Sequence, residues 1–327
     1  MLKDLNTCFI DMNNGNQYWG EAINTYANYY NPVGTGIHVK PDTSFYMTER
    51  HIDNAFYDGI FLHRGTDSKA RGLIGNCRNK RLYGPRLDFV YEKNIILGCF
   101  NSNSELEGFY CHVNYDGSYT ITRYENGVCC GRGIYCKDGV MQFITLDSKG
   151  SVQRYLSNCE SGSELIFTTS RMFFMPFERD KNIITHKASD NYGFVRKVQA
   201  IGNEPNGYGI CRWDNGDSYF GEYQAGSRSG LGSYTFANGD TLLGKFYRNE
   251  MYGNGVEWFS NGALSFGNFK NDLREGLFFD MYVFGTEIVI SHFEEDRQVG
   301  RSLHFDKNFN LTVYPNGSNN GFKTYFG

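Results

Sequence analysis

The chain has 327 residues, a net charge of −4 and a pI near 6.0, a balance that carries no general attraction to nucleic acid. Its 27 Phe, 24 Tyr and 39 Gly against 6 Pro favour strands and tight turns over helices. No apolar run reaches the roughly 18 residues of a membrane span, and the opening MLKDLNTCFIDMNNG lacks an apolar signal core, so a cytoplasmic location is expected. The 9 cysteines, odd in number and without a CxxC pair, agree with a reducing compartment.

In chain order, the first predicted hairpin is NNGNQYWGE at 13–21, which matches DNGDSYFGE at 214–222 at five of nine positions. Gly36, Gly59, Gly84, Gly108 and Gly131 follow at intervals of 23, 25, 24 and 23 residues. The segments GPRLDFVYEKNIILGCF, GFYCHVNYDGSYTITRY and GRGIYCKDG start at the last three of these, so 1–149 reads as worn repeats. Residues 64–93 are locally basic, with Arg78, Lys80, Arg81 and Arg86 among their cations. The pattern is lost over 150–206. From Gly131 to Gly207 is 76 residues, close to three periods, so either divergent rungs run through this stretch or it is an insert.

From 207 to 299 the period is explicit. GYGICRWDNGDSYFGEYQAGSRS, GLGSYTFANGDTLLGKFYRNEMY and GNGVEWFSNGALSFGNFKNDLRE are consecutive blocks of 23 residues, and a fourth with one extra residue runs to 299. Gly207, Gly230, Gly253 and Gly276 form one column, Gly209, Gly232 and Gly255 a second, and Gly221, Gly244 and Gly267 a third. Aromatic columns lie between them: Trp213, Phe236, Phe259 and Tyr282 before the turn, and Tyr223, Phe246 and Phe269 after it. Asn-Gly within each block predicts a hairpin closed by a two-residue type I′ turn, with both central residues at positive φ. One hairpin is marginal alone, so successive hairpins are expected to stack. Residues 300–327 are expected to cap the stack.

Blocks of the form GxGxxxxxNGDxYxGxFxxGxxx resemble the MORN repeat, the "membrane occupation and recognition nexus". The resemblance is strong over 207–275, fair over 13–21 and 84–139, and unreadable over 150–206. It implies an all-β fold, an elongated antiparallel β-solenoid of stacked hairpins with an aromatic-lined groove. It also implies a scaffold or docking module for a partner protein in a cytoskeletal or membrane-associated assembly, with acidic phospholipid as a further ligand class. The solvent-facing groove candidates are Tyr208, Tyr219, Tyr252 and Trp258, aromatic types suited to interface anchors. In the lipid alternative, Arg78, Lys80, Arg81 and Arg86 face acidic headgroups. Self-association into a homodimer through strand edges stays open.

No constellation for chemistry competes with this. The GxG pairs lack the third glycine of a dinucleotide fingerprint, and GSRSG at 226–230 has Arg228 where a nucleophile elbow needs Ser. No two of the seven histidines stand at metal-ligand spacing, and Cys77 and Cys99 align with the Tyr223 and Phe246 columns as small buried hydrophobes. The expectation is no enzyme, cofactor or metal, the alternative being an unrecognised site within 150–206.

Overall fold

The computed structural model describes residues 8–11, 17–26, 29–39, 45–52, 55–64, 71–78, 81–90, 94–138, 140–155, 165–168, 171–174, 182–188, 194–282, 287–306, 311–314 and 322–324. They form antiparallel strands and turns without a helix. Thirteen strands, from Cys8–Asp11 to Val152–Tyr155, make a first sheet in strict chain order. Thirteen more, from Asn182–Ala188 to Phe322–Thr324, make a second. Between them, Leu165–Thr168 pairs only with Arg171–Phe174 among the described residues. The described parts of 150–206 thus include strands at the end of one sheet, in a separate hairpin and at the start of the next. Residue 300 lies inside the strand Arg297–Asp306, so the expected cap begins within the second sheet.

The turns alternate between two kinds. Asn126-Gly127 of the first sheet, at φ 48° and 77°, is a two-residue turn of the expected type I′ kind, but in the 23-residue blocks the Asn-Gly sites are not. At Asn215-Gly216 the Trp213 N–H donates to the Asp217 carbonyl and the Gly216 N–H to the Trp213 carbonyl, which closes a three-residue loop. Only Gly216 is left-handed there, at φ 96°. Asn215 keeps negative φ because its side-chain oxygen accepts from the Asp217 N–H at 3.0 Å. The same loop recurs at 236–240 and 259–263. Two-residue turns with both residues at positive φ sit at the other end of the strands, at Ala225-Gly226, Arg248-Asn249, Asn271-Asp272 and Glu295-Asp296.

Both turn types tie a hairpin to its neighbour. The Asp of NGD reaches forward: Asp217 Oδ1 accepts from the Ala237 N–H at 2.9 Å, and Asp240 Oδ1 from the Ser260 N–H at 2.8 Å. At the opposite end the second turn residue reaches back, with Asn249, Asp272 and Asp296 accepting from the N–H groups of Arg228, Met251 and Arg274. These links satisfy turn backbone that the strand ladders leave over.

Alternation gives each sheet two faces, and the inner faces pack on each other. Leu87, Leu97, Cys111, Ile121, Ile134 and Phe143 of the first sheet share one core with Ile210, Phe220, Leu243, Val256, Phe266 and Phe279 of the second. Phe143 lies 4.3 Å from Phe220 and 4.4 Å from Tyr208 between ring centroids. Tyr119 meets Trp258 edge-on at 5.6 Å, and its hydroxyl is 3.3 Å from that of Ser233. Cys99 is buried as expected, but in this inner core. Gly84 pairs with Phe100 as Gly207 pairs with Tyr223, so Phe100 holds the aromatic column one residue from where it was expected. The side chain of Cys77 lies outside the described residues.

The outer face of the second sheet holds its own core of Tyr219, Tyr223, Phe246, Met251, Phe269 and Phe278. Beneath it Gly209, Gly221, Gly232, Gly244, Gly255 and Gly267 pair in sequence, a row of glycines across six strands. The row is a trough for large side chains. A Cβ on Gly232 would overlap the Tyr219 ring, one on Gly255 the Met251 methyl, and one on Gly267 would stand 2.6 Å from the Phe278 ring. The block-start glycines serve differently: Gly207, Gly230, Gly253 and Gly276 have φ of 123°, 102°, 84° and 85°, beside irregularities in the strand pairing.

The two glycine columns are separable by mutation. Gly255→Ala should destabilise by about 1–3 kcal/mol through overpacking, and Met251→Ala in the same chain should relieve part of that penalty. Gly253→Ala has open space around it and should cost about 1–2 kcal/mol through left-handed strain, with no rescue by Met251→Ala. Urea unfolding of the four variants checks both statements.

Candidate functional site

On the outer face of the second sheet the trough opens into a groove of about 620 Å³, lined by aromatic, aliphatic and charged side chains that include Phe236, Leu242, Phe246, Glu257, Phe269 and Phe293. Two arginines stand in it. Arg228, on the strand Ser227–Thr235, holds its guanidinium carbon 5.0 Å from the Tyr234 ring centroid, 5.6 Å from Tyr219, and 5.7 Å from both Trp213 and Phe246. Such stacking suits a planar, weakly hydrated cation. Arg274, on Leu273–Tyr282, lies 5.3 Å from the Phe278 and Phe293 rings and pairs with Glu257 at 2.5 Å and Asp280 at 3.8 Å. Desolvation raises the Asp280 carboxyl above its ordinary pKa, against the hydroxyl of Ser265 and the charge of Arg274, which lower it.

The four aromatic candidates do not share this surface. Tyr208 is buried in the inter-sheet core against Phe143, and Tyr219 is 0% exposed beneath the groove, which corrects the expectation that both face solvent. Tyr208 is covered by Phe143 of the facing sheet and Tyr219 by Phe246 of the next rung, contacts that a single hairpin does not reveal. Trp258 points inward and is half-buried against Tyr119. Tyr252 is exposed, 6.2 Å from Tyr247 at the two-residue turn end, outside the groove lining. The signal that finds the groove instead is a second period: Arg228, Met251, Arg274 and Arg297 recur every 23 residues.

Of the basic candidates, Arg81 is exposed and pairs in register with Arg78. Arg86 is not a free cation: it contacts Asp88 at 3.2 Å and covers the Phe100 ring at 5.4 Å. Lys80 and the side chain of Arg78 lie outside the described residues.

One further cluster has the form of a catalytic relay. Ser302 Oγ is 3.0 Å from His304 Nε2, and His304 Nδ1 is 3.2 Å from Glu287 Oε1. Ser302, however, is 3% exposed in mid-strand, where a substrate has no access to its hydroxyl. The relay is a structural hydrogen-bond chain on the outer face. Among the described residues no group of three or more His, Cys, Asp or Glu is placed to hold a metal ion, and none of their helices is long and apolar enough to cross a membrane.

At the seam between the sheets, Glu222 accepts from the Tyr208 hydroxyl at 2.9 Å and the Leu231 N–H at 3.3 Å. Burial raises its pKa, opposed by these two bonds and by Arg123 and Arg132 of the first sheet.

Compared with known families, the chain matches the MORN repeat model at 123–141, 201–218, 219–241 and 244–264. The first match lies in the first sheet and the other three in the second. No curated protein matches the chain.

Glu222 generates a prediction with a definite sign. A carboxyl whose folded pKa is raised binds its proton more tightly in the native state, so stability is greatest when it is protonated and falls as pH rises through its native titration. Wild-type stability should therefore decline relative to Glu222→Gln as pH climbs from the ordinary carboxylate range to neutrality, in denaturation midpoints measured across pH. A difference between the two proteins that is flat with pH would contradict the assignment.

Proposed function

We propose, from the premise that this is a MORN-repeat protein, that it is a non-catalytic docking scaffold whose partner-binding surface is the outer groove of the second sheet. The observation that carries this reading is the groove itself: Phe236 at its rim is 37% exposed, and the floor of Phe246 and Phe269 is buried in a packed aromatic layer. Large side chains fixed before binding lose little entropy when a partner arrives, which is what makes them effective anchors. In this reading the sequentially paired sheets are an elongated β-solenoid, each repeat adding one hairpin of scaffold. The setting is a cytoplasmic assembly at the cytoskeleton or a membrane, and the partner is a protein.

Affinity capture from the native source with the full chain, followed by cross-linking and mass spectrometry, tests this. The expected result is a partner cross-linked near the groove and lost when Phe236 and Phe293 are both replaced by Ala, with the β-sheet circular dichroism unchanged. Full retention of partners by that double variant would refute the groove. Salt-sensitive sedimentation with phosphatidylserine vesicles, abolished by charge reversal at Arg78, Lys80 and Arg81, would favour the acidic-lipid alternative instead.

A further inference from the structure

The 23-residue period provides an internal control on the two groove arginines. Arg228 and Arg274 hold equivalent places, each two residues into the strand that follows a two-residue turn. The carboxylates that pair with Arg274 stand 17 residues before it, at Glu257, and 6 residues after it, at Asp280. The corresponding positions for Arg228 are Cys211 and Tyr234. The repeat that gives one arginine two counter-ions thus gives the other a thiol and a phenol.

The consequence is visible at Arg228. Its guanidinium donates to the Asn249 carbonyl oxygen at 2.6 Å, and no carboxylate among the described residues pairs with it. A guanidinium carries five N–H donors in a fixed fork, so donors remain on a side chain that lines the groove. The four rings around it hold the group in place and keep part of its hydration away. The nearby acids are committed elsewhere: Glu257 pairs with Arg274, while Asp272 and Asp296 accept backbone N–H bonds from the preceding rungs.

We infer that the groove takes a peptide segment of a partner protein that presents one carboxylate to Arg228 and apolar side chains to the aromatic floor. This rests on the groove being the docking surface. The strand order sets the size of the segment. From Ser227–Thr235 to Glu287–Glu294 is five strand spacings, or about 24 Å, which about seven extended residues cover. A uniformly acidic segment is disfavoured, because Glu257, Asp272 and Asp296 stand at the Arg274 side. The acid belongs at the Arg228 end and the apolar residues beyond it.

A heptapeptide library displayed on phage and selected on the full chain tests the inference, with selected peptides resynthesised and their affinities read by fluorescence anisotropy. The decisive variant is Arg228→Met, because Met251 fills the same column in the next rung and the fold should accept it. Selected peptides should carry one Asp or Glu beside apolar residues. Their affinity should drop at least about tenfold for Arg228→Met, as for a lost charge-assisted fork, and equally when the peptide acid is changed to its amide. Lys245→Met, which alters an exposed cation outside the groove lining, should change nothing. Peptides that depend on Phe236 but not on Arg228 would overturn the carboxylate inference and leave the groove intact. If no selected peptide is weakened by Phe236→Ala, both fail. Phosphatidylserine vesicles that bind wild type and not Arg228→Met, in the absence of any selected peptide, would overturn a peptide as the occupant.

Discussion

The second sheet depends on a row of missing side chains. Between Gly209 and Gly267, six strands place glycine opposite glycine, and the volume so vacated is filled by the side chains of Tyr219, Met251 and Phe278. Interiors tolerate neither a void nor an overlap of one methyl. Glycine and filler therefore specify each other, and the repeat keeps both in register. The floor residues Phe246 and Phe269 belong to the same packed layer as these fillers.

Two demands meet on every strand. The inner face packs on the other sheet, with Phe143, Tyr208, Phe220, Tyr119 and Trp258 interlocked at the seam. The outer face carries its own aromatic layer. A strand with both faces buried cannot show a simple apolar-polar alternation, and GICRW and SYFGEY do not. Glu222 is a carboxyl at this seam, tolerated through Tyr208, the Leu231 N–H and the two arginines of the first sheet.

Much of the fold was legible in the sequence, and what was hidden has physical reasons. Hairpin positions over 207–275 followed from the glycine columns, and the post-turn aromatics Tyr223, Phe246 and Phe269 are buried as that column implied. Turn type was misread, because Asn-Gly also suits a three-residue loop in which only glycine is left-handed, whereas Arg248-Asn249 and Glu295-Asp296 adopt positive φ without glycine. The exposure of Tyr208 and Tyr219 was illegible: it depends on the facing sheet and on neighbouring rungs, neither of which a local pattern encodes. The groove arginines, by contrast, stood in plain register at 228 and 274, but their significance lies in which partners the neighbouring rungs supply.

The paired clasps between turns bear on how such a chain changes length. Asp217 reaches forward to Ala237 while Asn249 reaches back to Arg228, so adjacent hairpins are joined at both ends by opposite-handed links. Excision of residues 230–252 would bring Asp217 to Ser260 and Asp272 to Arg228, the same acceptor classes meeting the same backbone donors. Loss or duplication of one whole unit re-forms these links, and the 24-residue fourth unit shows that the backward clasp, here from Asp296 to Arg274, also absorbs one extra residue. Copy number is thereby free to drift in evolution without loss of the clasps.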